Sequence, residues 1–297
     1  MPTSARRRYL RRGSALALAL ALAVLGVWGY RVDQDSRDQA LTVVGATGPD
    51  RVDVHATVQK VDPVAREATV RLRIVPRGAL AEPDRPGVPA QALTLYTSSP
   101  TQSSIILAAG TPPPQQSITL GLDSGTVTDY PRDDYTLLAA FGVDAAQRAV
   151  PVELTVDSAD AFFVLAAPRA DYTHDATELQ LTARRSSGGL ILAWFLMLVA
   201  WALALVVAGA AAVLVGDRRG LVWPALGWMA ATLFALVTLR NNAPGQPPIG
   251  SLIDYAAYFW AEFIVAAALV TTATAGILAE RPRRRTEAEL PAGQESP

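Results

Sequence analysis

Residues 188–215 read GGLILAWFLMLVAWALALVVAGAAAVLV, without one ionisable side chain. At a rise of about 1.5 Å per residue, an α-helix of that length exceeds the roughly 30 Å of hydrocarbon in a bilayer. Helix is the form this run takes in lipid, because an unpaired strand would leave its backbone donors unsatisfied. Two comparable runs follow: residues 221–239 carry no charge, and residues 255–278 carry one carboxylate, Glu262. A fourth run, residues 14–30, alternates Ala with Leu and so imitates a strand. Both residues are strong helix formers, and lipid again selects the helix.

The arginines set the orientation of these four crossings. Arg6, Arg7, Arg8, Arg11 and Arg12 precede the first run, Arg218 and Arg219 follow the second, and Arg281, Arg283, Arg284 and Arg285 follow the last. The positive-inside rule puts all three clusters in the cytoplasm. The expected organisation is a cytoplasmic tail (1–13), a signal-anchor helix (14–30), an extracytoplasmic domain (31–187), helices over 188–215 and 221–239, an outer loop (240–254), a helix over 255–278 and a cytoplasmic tail (279–297). The chain is thus expected to be a multi-pass protein of the cell membrane with both termini inside. Trp28, Tyr30, Trp194, Tyr255, Tyr258 and Trp260 then fall near the outer interface, where amphipathic rings are favoured. The front of the chain also fits a cleavable signal peptide, and Arg6-Arg7-Arg8-Tyr9-Leu10-Arg11 is similar to a twin-arginine export signal. The length of the apolar run, ending in Trp28 and Tyr30, favours an uncleaved anchor.

Between the first and second runs the periodicity changes to two. Val52, Val54, Ala56 and Val58 alternate with Asp53, His55, Thr57 and Gln59, and Val70, Leu72 and Ile74 alternate with Arg71 and Arg73. This is the pattern of half-buried strands, and Asp62-Pro63 supplies turn chemistry for a hairpin. Further strands are expected over 92–97, 104–108, 117–122, 135–143, 152–157, 161–166 and 177–183. Around nine short strands with Pro- and Gly-rich connections predict a β-sandwich. The fold class expected is therefore membrane α plus all-β: an extracytoplasmic sandwich with one N-terminal and three C-terminal transmembrane helices. Pro76, Pro83, Pro86 and Pro89 stiffen one connection, and Pro112-Pro113-Pro114 block continuation of a strand.

Composition excludes several function classes. The chain of 297 residues is 51% hydrophobic and 18% charged, with net charge -1 and no cysteine. Disulfides, thiol-ligated metals and lipobox acylation are excluded. Residues 31–187 hold 20 acids against 14 bases, and a net of -6 opposes binding of nucleic acid or anionic lipid by charge alone. Arginine outnumbers lysine by 25 to 1, a coding bias rather than a functional signal.

Two strings carry candidate sites. In Tyr130-Pro131-Arg132-Asp133-Asp134-Tyr135, proline breaks the strand, an Asp side chain bonds nearby backbone amides, and the tyrosines cover the corner. The competing reading is a cation site built from Asp123, Asp129, Asp133 and Asp134, although their spacing fits no EF-hand loop. The second string runs from Arg240 through Pro244-Gly245-Gln246-Pro247-Pro248-Ile249-Gly250 to Asp254. Asp254, Tyr258 and Glu262 stand at i, i+4 and i+8 along one helical stripe, with Glu262 about 12 Å deeper than Asp254. A carboxylate at that depth needs a partner, and Arg240 is the nearest candidate by topology. The expected arrangement is a polar clasp between two helices; the competing one is a proton or cation site. A third feature is a small-residue row, Ala200, Ala204, Ala208, Ala212 and Gly216, suited to close helix packing within the bundle or in a homodimer. His55 and His174 have no visible catalytic companion, and no phosphate loop, dinucleotide fingerprint, metalloprotease helix or nucleophile elbow occurs.

With these residues in view, the chain resembles the actinobacterial membrane-protein family known as domain of unknown function 4436. The resemblance rests on the Tyr-Pro-x-Asp-x-Tyr corner at 130–135 and on Arg240, Asn241, Pro244, Gly245, Pro247, Pro248, Gly250, Asp254, Phe259, Trp260 and Glu262. It implies an N-terminal helix, a β-rich outer region and three further helices, and it supplies no activity. Arg132 departs from the aromatic residue that the resemblance leads one to expect there. An aromatic-Pro-x-Asp corner in an outer β-sandwich also looks like pentameric ligand-gated channels, but the helix before the sandwich and the missing four-helix block after it oppose that likeness. The expected role is a non-catalytic envelope binding, sensing or accessory module. A channel or transporter subunit using Glu262 and Arg240 is the alternative, and an extracytoplasmic enzyme ranks third. The partners expected are the lipid bilayer and either an envelope protein or a second copy of the chain, with no cofactor, no metal and no nucleic acid.

Overall fold

The computed structural model describes residues 42–45, 47–172, 176–218 and 220–289, with a few positions between 24 and 34. The helix expected over 14–30, the basic residues before it and His174 lie largely or wholly outside the described residues.

Each run of period two is a strand. Among the described residues thirteen strands form: β1 (Thr42–Gly45), β2 (Val52–Asp62), β3 (Glu67–Pro76), β4 (Ala81–Glu82), β5 (Arg85–Pro89), β6 (Leu93–Thr97), β7 (Ser104–Leu107), β8 (Gln116–Ser124), β9 (Asp134–Ala145), β10 (Arg148–Val150), β11 (Val152–Ser158), β12 (Phe163–Tyr172) and β13 (Thr177–Arg185). The nine expected strands are present. The four additional ones, β1, β4, β5 and β10, are short and sit at edges or in hairpins, where too few residues alternate to leave a periodic signal.

Eleven strands join in one sheet along the path β1-β11-β2-β3-β8-β9-β13-β12, with β10 and β6 pairing β9, and β7 pairing β6. β4 and β5 form a separate hairpin inside the proline-rich connection. All pairs are antiparallel except β11 with β2. The expected hairpin across Asp62-Pro63 joins β2 to β3, with a bulge between Val58 and Lys60. β9 exchanges neighbours along its length: Leu137 faces Leu122 of β8 across a bulged junction, whereas residues 141–145 pair β6. The sheet turns a corner at that bulge, as bulged strands do. The inward positions of β2, β3, β8, β9, β11 and β13 then meet in one core, including Val54, Leu72, Leu120, Leu137, Leu154 and Leu179.

Asp160 fastens this enclosure. Its buried carboxylate accepts hydrogen bonds from the backbone N–H of Val61 at the end of β2 (2.7 Å) and of Phe162 and Phe163 at the start of β12 (2.6 and 2.9 Å). Asp53, expected on a polar face, is also buried: its two oxygens accept from Arg51 Nε (2.8 Å) and Arg77 Nε (2.7 Å). Paired arginines let a carboxylate sit where water is excluded.

Three helices follow: α1 (Ser187–Gly216), α2 (Trp223–Asn241) and α3 (Phe259–Glu289), the last preceded by a π-helical turn, Asp254–Tyr258. All three are long and apolar enough to cross a membrane. Four of their threonine hydroxyls are absorbed locally, Thr232, Thr238, Thr271 and Thr274 each donating to the carbonyl four residues earlier, whereas the buried Thr272 hydroxyl has no partner among the described residues. At the other end of α2, Glu280 Oε1 accepts from Leu221 N (2.9 Å) beside the helix start, where a carboxylate suits the dipole.

The β2–β3 turn yields a pH prediction. Asp62 accepts from Lys60 Nζ (2.7 Å) and from the N–H of Ala65 (3.1 Å), and these bonds, Lys60 first, hold its carboxyl below the ordinary carboxylate value. A depressed folded value means stabilisation that is present above the ordinary value and lost as pH falls through the depressed one. Wild-type stability should therefore drop more steeply than that of Asp62→Asn between about pH 5 and pH 2, measured by thermal unfolding of the detergent-solubilised chain. Parallel curves would contradict it.

Candidate functional site: two arginine–aspartate clasps

The Tyr130–Tyr135 corner is built around a cation that its own string does not contain. The Tyr130–Pro131 peptide is cis, and Tyr130, Pro131, Asp133 and Tyr135 are buried while Arg132 and Asp134 are exposed. Arg185, the last residue of β13, donates from Nε to Asp133 Oδ1 (2.6 Å) and from Nη2 to Asp133 Oδ2 (3.0 Å). The side chains are 2% and 0% exposed. Tyr135 donates its hydroxyl to Asp133 Oδ2 (2.8 Å), and burial followed by that bond pushes its phenol further up, so it remains a donor at physiological pH. The guanidinium carbon lies 4.4 Å from the Tyr130 ring centroid and 4.7 Å from that of Phe163. The planar cation is thus held by a bidentate carboxylate and covered by two π faces.

This arrangement corrects the expected corner. Asp133 bonds Arg185 and Tyr135 rather than backbone amides, and its carboxylate is committed. Asp123, Asp129 and Asp134 are exposed, and no group of three His, Cys, Asp or Glu suited to a metal occurs among the described residues. His55 is half-buried, opposite Arg73 and Thr155. Sequence reading missed Arg185, although a signal exists: it shares the inward parity of Thr177, Leu179, Leu181 and Ala183. An arginine on a core-facing parity requires a carboxylate.

The second clasp lies in the helical region. Arg240, in the last turn of α2, donates from Nε and Nη2 to the two oxygens of Asp254 (2.9 Å each). Its Nη1 and Nη2 also reach the carbonyls of Pro247 (2.8 Å) and Pro248 (2.9 Å). Asp254 Oδ2 additionally accepts from Gly250 N (2.8 Å). Prolines provide carbonyls and no competing N–H, which explains their use in a loop that wraps a guanidinium.

Arg240, the partner expected for Glu262, is paired with Asp254, and among the described residues Glu262 makes no hydrogen bond or ion pair. The α-helical stripe is also interrupted. Phe259 N bonds Asp254 O in an i to i+5 turn, so Asp254, Tyr258 and Glu262 do not follow the spacing of a regular α-helix. Tyr258 is buried, with a hydroxyl that has no hydrogen-bond partner among the described residues, while Trp194, Tyr255 and Trp260 are exposed. Trp201 of α1 donates its indole N–H to Ala256 O within the wide turn (3.1 Å).

The small-residue row is only half inside. Ala200 and Ala204 are buried, Ala208 is half-buried, and Ala212 and Gly216 are exposed. Each four-residue step turns a row about 40° around a helix of 3.6 residues per turn, so the row drifts off the packed face. That face is Ala193, Leu196, Met197, Ala200, Ala204, Val207 and Ala211.

Fold and clasps define a β domain continuous in sequence with a three-helix apolar region. Residues 42–183 match the family described as a domain of unknown function, DUF4436, and residues 185–279 match a second, DUF8686. The chain therefore carries a DUF4436 domain, as its corner suggests; the helical elements, expected to belong to the same family, form the DUF8686 region. No curated protein matches the chain.

Removing one partner from a buried pair leaves an uncompensated charge. Arg185→Ala or Asp133→Ala should each destabilise the β domain by about 3–5 kcal/mol, and the double variant by less than the sum of the two. Tyr135→Phe should cost about 1 kcal/mol. Denaturant unfolding of the full chain in detergent, followed through near-UV dichroism, checks both. Additive single effects would show that the pair does not act as a unit.

Proposed function

We propose that the chain displays its β domain on the outer face of a cell membrane as a non-catalytic binding, sensing or accessory module of the envelope. The observation that carries this reading is the division of apolar surface. In the β domain most large apolar side chains fill a core, with scattered exceptions such as Val64 and Ile106, whereas the helices expose many, among them Leu198, Phe234 and Phe263 at 66%, 75% and 66%, a surface suited to lipid. Three arginine clusters then place both termini and the α1–α2 turn in the cytoplasm, with residues 14–30 as a further crossing. The curled sheet is read as a β-sandwich, with β1, β11, β2, β3 and β8 in one layer and β6, β7, β9, β12 and β13 in the other. An envelope protein or a second copy of the chain is the partner this display serves. A second reading, a transporter or channel subunit, is favoured by the unpartnered Glu262; Arg240, already holding Asp254, contributes position rather than transport.

The absence of cysteine allows a clean topology test. A membrane-impermeant maleimide should label Asp84→Cys in intact cells and Asp217→Cys only after permeabilisation. The reverse pattern would overturn the displayed-domain reading.

A further inference from the structure

Among the described residues most polar groups of the helical region have partners; the buried hydroxyls of Tyr258 and Thr272 and the carboxylate of Glu262 do not, and of these Tyr258 and Glu262 stand one helical turn apart. α1 brings no ionisable side chain, α2 brings only Arg240, and the π turn and α3 bring Asp254, Tyr255, Tyr258 and Glu262 before Glu280 at the far end. Arg240 and Asp254 satisfy each other, and Tyr255 is exposed. Glu262 is half-buried one turn beyond Tyr258, and the Tyr258 hydroxyl, on a residue 1% exposed, lies within electrostatic reach of Glu262, Asp254 and Arg240. Helical side chains lean toward the N-terminus, which directs the Glu262 carboxylate toward Tyr258.

An ionised carboxylate with no counter-ion is costly in hydrocarbon, and the nearest cation is already neutralised. A metal ion needs several oxygen ligands, more than one carboxylate and one phenol supply. A proton needs one. We propose that Glu262 and Tyr258 form a proton-binding site inside the membrane: the Glu262 carboxylate takes a proton from water on the Arg240–Asp254 side, and the resulting carboxyl donates it in a hydrogen bond to the Tyr258 hydroxyl oxygen. One O–H bond forms and the site becomes neutral; no other bond changes. The inference rests on the three helices crossing a membrane and not on what the β domain binds.

An apolar carbodiimide tests it, because such reagents convert a protonated carboxyl in lipid to a stable acylurea. The full chain in phosphatidylcholine vesicles is treated across pH 5–9, and the peptide containing residue 262 is read by mass spectrometry. Labelling at Glu262 is expected at pH 7 and should fall about tenfold per pH unit above its midpoint, as for a single site. It should vanish in Glu262→Gln, while Tyr258→Phe should move the midpoint to lower pH by removing the acceptor. Absence of label at every pH, label independent of pH, or a midpoint unmoved in Tyr258→Phe would overturn the site. Label in vesicles but none in native membranes would do so too, by revealing a basic group of another chain on Glu262. The maleimide experiment fails or succeeds separately, so a wrong orientation and a wrong site are distinguishable.

Discussion

A guanidinium cannot be withdrawn from water without a carboxylate to receive it, and that constraint organises the corner on which the β domain depends. Arg185 ends β13 with its side chain 2% exposed, and Asp133 precedes β9 with none of its side chain exposed. Their bidentate contact fixes the start of β9 against the end of β13, where Ala183 and Arg184 pair Tyr135 and Asp134. The rings of Tyr130 and Phe163 close over the cation, and Tyr135 meets Phe163 edge-on with centroids 5.9 Å apart. Hydrophobic packing alone specifies a burial pattern; a charged pair among aromatic rings also specifies which residues must meet. Of the two tyrosines expected to cover a turn, Tyr130 is a wall of a cation box and Tyr135 donates to the carboxylate inside it.

The same chemistry recurs in the apolar region with a different purpose. Arg240 and Asp254 are 14 residues apart, and the carbonyls of the intervening Pro247 and Pro248 accept from the guanidinium, so the loop between α2 and α3 is closed around its own ion pair. The π turn that follows widens the helix where Asp254 must point back toward Arg240. Such a turn shifts the register of everything after it, and this is why Tyr258 turns inward while Tyr255 and Phe259 stay outside. Satisfaction of polar groups is thus nearly complete at the mouth of the region and incomplete one turn deeper.

The sequence was most legible where one force acted alone. Alternation over β2, β3 and β9 reports burial of one sheet face, and uninterrupted apolar runs report the helices; both survive translation into structure. Legibility failed where two remote segments satisfy one another. Asp160 holds amides of β2 and β12, Asp53 sits under Arg51 and Arg77, and Arg185 holds Asp133 across 52 residues. None of these pairings has a local period. The Ala200 row shows a related limit: spacing by four drifts around a straight helix, so Ala200 and Ala204 are buried while Ala212 and Gly216 are exposed. Glu262 stands out in the sequence, but the cation nearest by topology pairs with Asp254.

The meeting point of the two matched families gains a physical meaning from the buried pair. The DUF4436 match ends at residue 183, and the DUF8686 match begins at residue 185. Asp133 belongs to the first and Arg185 to the second. A β domain cut at the family boundary would keep a fully buried carboxylate and lose the cation that neutralises it, together with the group that fills the space between Tyr130 and Phe163. The compact unit containing the strands extends to Ile191, past Arg185 and through the first turn of α1. Ser186 continues the β pattern with a backbone bond to Phe162 O (2.8 Å), and its hydroxyl accepts from Gly189 N (3.1 Å) as the helix begins. Strand and helix are therefore separated by Ser186 alone. The compact unit of the β domain includes the first residues assigned to the helical family, and the two family regions are covalent neighbours whose residues Asp133 and Arg185 neutralise one another.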